Sequence, residues 1–149
     1  MKIQTKYHGE IIIESESILS FPNGIPGFLK EQEFILLPLS EESPFSILQS
    51  VKNSELGFVL INPFKFYSDY EFKLSDSDVN SLDIENREQI EVYSIITVKD
   101  PFEDSTTNLQ APVVINGVKK LGRQVVLNHK DYHTKHKLIS QTSPVGQEG

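Results

Sequence analysis

Short alternating or continuous apolar runs separated by polar turn residues recur along this chain, which is the signature of β-strands buried on one face or on both. Ile3, Thr5 and Tyr7 alternate with polar neighbours, His8-Gly9 interrupts, and Ile11-Ile12-Ile13 begins a second extended run, so the pattern predicts an opening hairpin. Ile18 to Phe21 is apolar again and runs into Phe21-Pro22-Asn23-Gly24-Ile25-Pro26-Gly27-Phe28. There the prolines fix φ and Asn23-Gly24 and Gly27 accept positive φ, predicting an ordered loop that carries Phe21, Ile25 and Phe28. Those three either fold into the core or form an apolar contact patch.

Glu33 to Leu37, Phe45 to Val51 and Leu56 to Ile61 read as three further strands, the first two linked by the polar turn Ser40 to Pro44. Asn62-Pro63 ends the third, and the spacing of Phe64, Phe66 and Tyr70 fits neither a helix nor a clean strand. Ser75 to Leu82 predicts one short helix. Ser75 is its N-cap, Asp76 and Asp78 face the positive end of its dipole, and Leu74, Val79 and Leu82 give it a narrow apolar face. Ile90 to Val98 returns to strand, with Ile95-Ile96 suggesting burial on both faces, and Asp100 to Asp104 is a polar turn.

The stretch from Thr106 to Leu127 reads as a central hairpin. Ala111 to Ile115 and Gln124 to Leu127 are short aliphatic runs, and Asn116-Gly117 and Gly122 between them tolerate the positive φ of a reversal. Pro112, which cannot donate to a ladder, belongs at a strand start or bulge, and Val113, Ile115, Val125 and Leu127 are the core candidates. Asn128 to Ile139 predicts a last strand or short helix. Eight to ten strands with no alternating long helices predict an all-β fold: a small antiparallel β-barrel, partly open, with one short acidic helix. It is expected to fill residues 1–139 as one domain, with 140–149 a flexible tail.

Composition narrows the function classes. The absence of cysteine excludes disulfides, thiolate zinc sites and thiol catalysis. No apolar run reaches the roughly 18 residues that span a bilayer, and the N-terminus lacks the apolar core of a signal peptide, so a cytoplasmic protein is expected. The net charge of −7 is unevenly spread: Asp69 to Asp104 holds eleven acids against Lys73, Arg87 and Lys99, while Lys119 to Lys137 holds six bases against Asp131. Such polarity suggests a charged partner or two solvated faces.

Candidate chemistry is sparse. His129, His133 and His136 would share a face if their segment were helical, which makes them the one metal or hydrolytic possibility; on a strand His133 and His136 would point apart. Paired carboxylates such as Glu41-Glu42 lie in polar segments where nothing raises a pKa. The nucleotide, metalloprotease, calcium-loop and nucleophile-elbow motifs are missing. A non-enzyme without cofactors is expected.

Four short runs in order carry a resemblance. They are Phe21-Pro22-x-Gly24-Ile25-Pro26-Gly27-Phe28; Asn62-Pro63 with Asp69-Tyr70; Thr106-x-Asn108-Leu109-x-Ala111-Pro112 leading to Gly122-x-Gln124-Val125-Val126-Leu127; and Tyr132 through Leu138. Together they resemble the FliW family of flagellar assembly factors over nearly the whole chain. The resemblance implies a small β-barrel regulator that binds the translational repressor CsrA, relieves its block on flagellin mRNA, and binds flagellin in turn. Direct nucleic-acid and membrane binding are not implied, and a monomer is expected. On this reading the acidic residues Asp76, Asp78, Asp83 and Glu85 face CsrA and repel phosphates, while Ile25, Phe28 or Phe64 anchors flagellin.

Overall fold

The structure, a computed structural model, describes residues 1–138. The expected tail at 140–149 lies outside the described residues. Eleven strands follow in order: β1 (Lys2–Gln4), β2 (Glu10–Ile12), β3 (Leu19–Ser20), β4 (Glu33–Pro38), β5 (Phe45–Ser50), β6 (Gly57–Ile61), β7 (Ile90–Thr97), β8 (Thr106–Thr107), β9 (Val113–Asn116), β10 (Leu121–Gln124) and β11 (His136–Lys137). Two helices, α1 (Pro63–Phe66) and α2 (Asp76–Ser81), lie between β6 and β7.

Seven strands close into a barrel in the order β7-β6-β5-β4-β3-β10-β9, and β9 returns to β7 with Ile90 opposite Asn116 and Tyr93 opposite Val113. The barrel expected from the strand count is therefore present, with two differences in detail. It is closed rather than partly open, and β10 runs parallel to β3, pairing Leu121 with Ser20, so the sheet is mixed. Closure removes the exposed edges an open sheet would carry. A second short helix, α1, joins the expected acidic one.

Why so many strands read as continuous apolar runs becomes clear from the layers. On β9, Val113 and Ile115 enter the interior cluster with Phe21, Phe34, Leu48 and Leu60, while Val114 points outward into a second cluster with Ile61, Tyr70, Leu82 and Leu127. On β4, Leu36 packs toward the interior and Ile35 and Leu37 toward a third cluster, under the β1–β2 hairpin with Ile3 and Ile13. Side chains alternate across a strand, so a strand covered on both faces must be apolar at every position. The barrel thus has one inner core and two outer covers: the N-terminal hairpin over β4, and the segment carrying α1 and α2 over β6, β7 and β9.

The central hairpin is present, with its second strand earlier than expected, at Leu121–Gln124. Val125 and Leu127 are still buried, and their amides donate to the carbonyls of Pro112 and Gln110. The positive φ of the turn falls on Lys120 (59°), not on Gly117 or Gly122. Asn116 sets the turn by accepting from the amides of Val118 and Lys119 at 3.1 Å. After Leu127 the chain forms an irregular strap that ends in β11, paired to β8.

Candidate protein-binding groove

The stretch after β6 that fits no simple period is explained by capping. Asn62 accepts from the amide of Phe64 at 3.0 Å and Pro63 occupies the first helical position, which together start a four-residue helix. α1 leaves Phe64 44% exposed and turns Tyr67 and Tyr70 inward. The Tyr67 hydroxyl donates to the Lys137 carbonyl at 2.8 Å and Tyr70 donates to the Leu109 carbonyl at 2.8 Å. Burial pushes the Tyr67 phenol up to about 12 and raises that of Tyr70 further, helped by Tyr132, so both remain protonated donors.

Downstream, Ser75 caps α2 by accepting from the Asp78 amide at 3.1 Å. Its far end is held by Asn116, whose side-chain amide donates to the carbonyls of Leu82 at 2.9 Å and Asp83 at 3.1 Å. Between this segment and β7 lies a groove of about 670 Å³. Phe64, Phe72, Leu74, Val79 and Ile84 form its walls with Ile90 and Val92 of β7, and Glu71, Lys73, Glu85 and Arg87 are its charged members.

Opposite charges separated along the sequence meet here. Arg123 of β10 places Nε 3.3 Å from Asp78, whose side chain is only 13% exposed, and donates from Nη1 to Ser81 at 3.2 Å and Asn23 at 3.5 Å. Lys119 lies 3.1 Å from Asp83. Hydrogen bonding to Asp83, then the charges of Asp83 and Glu85, raise the Lys119 pKa. Asp78 and Asp83 are therefore each paired within the molecule, Asp78 largely shielded and Asp83 on the surface, whereas Asp76 and Glu85 are exposed and have no ion pair among the described residues.

Of the apolar candidates, Ile25 is 1% exposed and packs in the inner core, so it is not available as a contact anchor. The loop's positive φ at Gly24 and Gly27 folds it inward while leaving Phe28 42% exposed against Phe58. Phe58 lies near the start of β6 and Phe64 follows its end, and Phe28 is not among the residues that line the Phe64 groove. Phe64 and Glu85 instead share the groove. The three histidines do not form one cluster: the rings of His133 and His136 stack at 5.3 Å, with the Nε2 of His136 accepting from the amide of His133 at 2.8 Å, while His129 stacks on Tyr132. Among the described residues no group of three metal-ligating side chains comes together. Nothing in the sequence marks Arg123 for this role, where it is one of six bases in a basic stretch, and Asn116 reads only as a turn residue.

The fold is a closed barrel whose outer cover opens an apolar groove edged by two acids and two bases. The chain belongs to the FliW family of flagellar assembly factors: the family profile, described as FliW protein, matches residues 2–138. It is 52% identical over 141 residues to the flagellar assembly factor FliW of Geobacillus kaustophilus, covering 95% of this chain and 97% of the relative. The Bacillus subtilis flagellar assembly factor FliW is 49% identical over 148 residues, 99% of each chain. A crystal structure of the flagellar assembly factor FliW superposes with a TM-score of 0.88 at 51% identity, covering 93% of this chain and 96% of that one. The family consists of assembly factors rather than enzymes.

Proposed function

We propose that this protein couples flagellin synthesis to flagellin export in the cytoplasm, by antagonising the translational repressor CsrA and by binding flagellin. The observation that carries this reading is the meeting of Phe64 with Glu85 in one groove, on a chain of this family. Apolar side chains of flagellin pack on Phe64, Leu74 and Ile84, where burial of aliphatic surface supplies affinity. CsrA docks beside it on the α2 segment, where Asp76 and Glu85, free of internal ion pairs, repel RNA phosphates from a neighbouring basic surface.

Because Glu85 lines the same groove as Phe64, occupancy by flagellin excludes CsrA. Size-exclusion chromatography with CsrA, with flagellin and with both tests this: two binary complexes and no ternary peak are the expected outcome. A ternary complex would show that the groove is not shared, and absence of both binary complexes would overturn the regulatory role.

A further inference from the structure

The β1–β2 hairpin leaves an edge that the barrel does not use. Its hydrogen-bonded pairs are fixed by the bonds from Met1 to the Ile13 carbonyl at 2.9 Å, from the Ile13 amide to the Met1 carbonyl at 2.8 Å, and from Thr5 to the Gly9 carbonyl at 2.9 Å. In an antiparallel ladder every second pair is non-bonded, and here those are Lys2 with Ile12 and Gln4 with Glu10. The backbone N–H and C=O groups of Glu10 and Ile12 therefore point away from β1. Among the described residues they have no hydrogen-bond partner.

That edge opens on a groove of about 650 Å³ between β2, β4 and the β9–β10 turn, bounded by Ile11, Leu37, Ile115 and Lys120. Ile12 is 76% exposed beside it. An unpaired edge with an exposed aliphatic residue and adjacent apolar space is what a strand-adding peptide requires. Charge decides the occupant. Glu14 and Glu91 line the groove against Lys120 alone, and Glu10 lies at the edge, 3.9 Å from Lys2. A second copy pairing antiparallel about Ile12 would set Glu10 opposite Glu14, a like-charge pair that disfavours it.

We infer that β2 is a strand-addition site for an extended segment of a partner protein, with an aliphatic residue opposite Ile12 and Lys or Arg two positions to either side. This site is separate from the Phe64 groove and stands whether or not that groove binds the partners proposed above. The probe is the capped hexapeptide Ser-Lys-Thr-Val-Thr-Lys, titrated into the full-length 15N-labelled protein and followed by amide shifts. The expected result is saturable shifts at Glu10, Ile12 and Glu14, abolished when alternate peptide nitrogens are methylated. Glu14→Lys is expected to weaken binding about threefold. Ile12→Pro, which removes an outward donor and no hairpin bond, weakens it about fivefold.

Equal binding by the methylated peptide would reduce the effect to charge alone and overturn the inference, as would shifts confined to other strands or no binding. Should Ile12→Pro disturb the hairpin, the methylated peptide on the unaltered protein decides the matter. Sedimentation showing a dimer that Ile12→Pro dissolves would assign the edge to a second copy and overturn the partner reading.

Discussion

Gly122 stands where the ring of Phe21 packs against the barrel wall from inside. A Cβ placed there would lie 2.3 Å from the ring's Cζ, and Phe21 is fully buried with Phe34 at 5.2 Å, so the ring has nowhere to move. Gly122→Ala is expected to cost about 1–3 kcal/mol of stability, measured by denaturant unfolding. The sequence marks this position as a glycine but not its reason: a turn residue and a residue crowded by an aromatic 101 positions away look alike in one dimension. His136 makes a second prediction at this scale. Burial, then His133, holds its pKa below the ordinary histidine value, although Asp69 and Asp131 line the same recess, and its Nε2 must be unprotonated to accept from the His133 amide. The unfolded chain therefore binds a proton that the fold resists. Stability from this group is full above the ordinary histidine pKa of about 6.5 and falls as pH drops through it. Thermal melting across that range checks the sign, and His136→Gln, which keeps an acceptor, is expected to flatten the dependence.

At the scale of elements, the strands were legible because each needed only local information: β4, β5, β6 and β7 lie within a residue or two of the runs that predicted them. α2 was legible through Ser75 and its acidic first turn. α1 was not, since four residues with two aromatics show no period, and its cap Asn62 looks like any turn residue. The parallel pairing of β10 with β3 joins residues 101 apart in the chain, Leu121 and Ser20, and nothing local announces it. Arg123 is the element-scale device that the candidate site depends on, because one guanidinium reaches both Asp78 and Ser81 of the α2 segment. Arg123→Gln is expected to raise amide hydrogen exchange across α2 while leaving the barrel strands protected. Uniform loss of protection would mean that α2 and the barrel open as one unit.

Across the whole molecule, the charge division of the sequence is partly cancelled by folding. Lys119 and Arg123 belong to the basic stretch yet bind Asp83 and Asp78 of the acidic one, so two of the four candidate acids are structural and Asp76 and Glu85 carry the outward field. Sequence counting could identify the two charged segments but not that they face each other. Reversing Asp76 and Glu85 to Lys is expected to slow association with CsrA and flatten its salt dependence, whereas the same change at Asp78 acts mainly on stability. The groove itself was visible only as scattered parts: Phe64 as an aromatic of unassigned structure, Glu85 as one acid among many, and Ile84 unremarked between them. The proposed binding of flagellin at this groove rests on Phe64. Isothermal titration of flagellin into the Phe64→Ala variant tests it most directly, with melting temperature as the control for folding. About 30-fold weaker binding at unchanged melting temperature is the predicted result, and full affinity in the folded variant would contradict it.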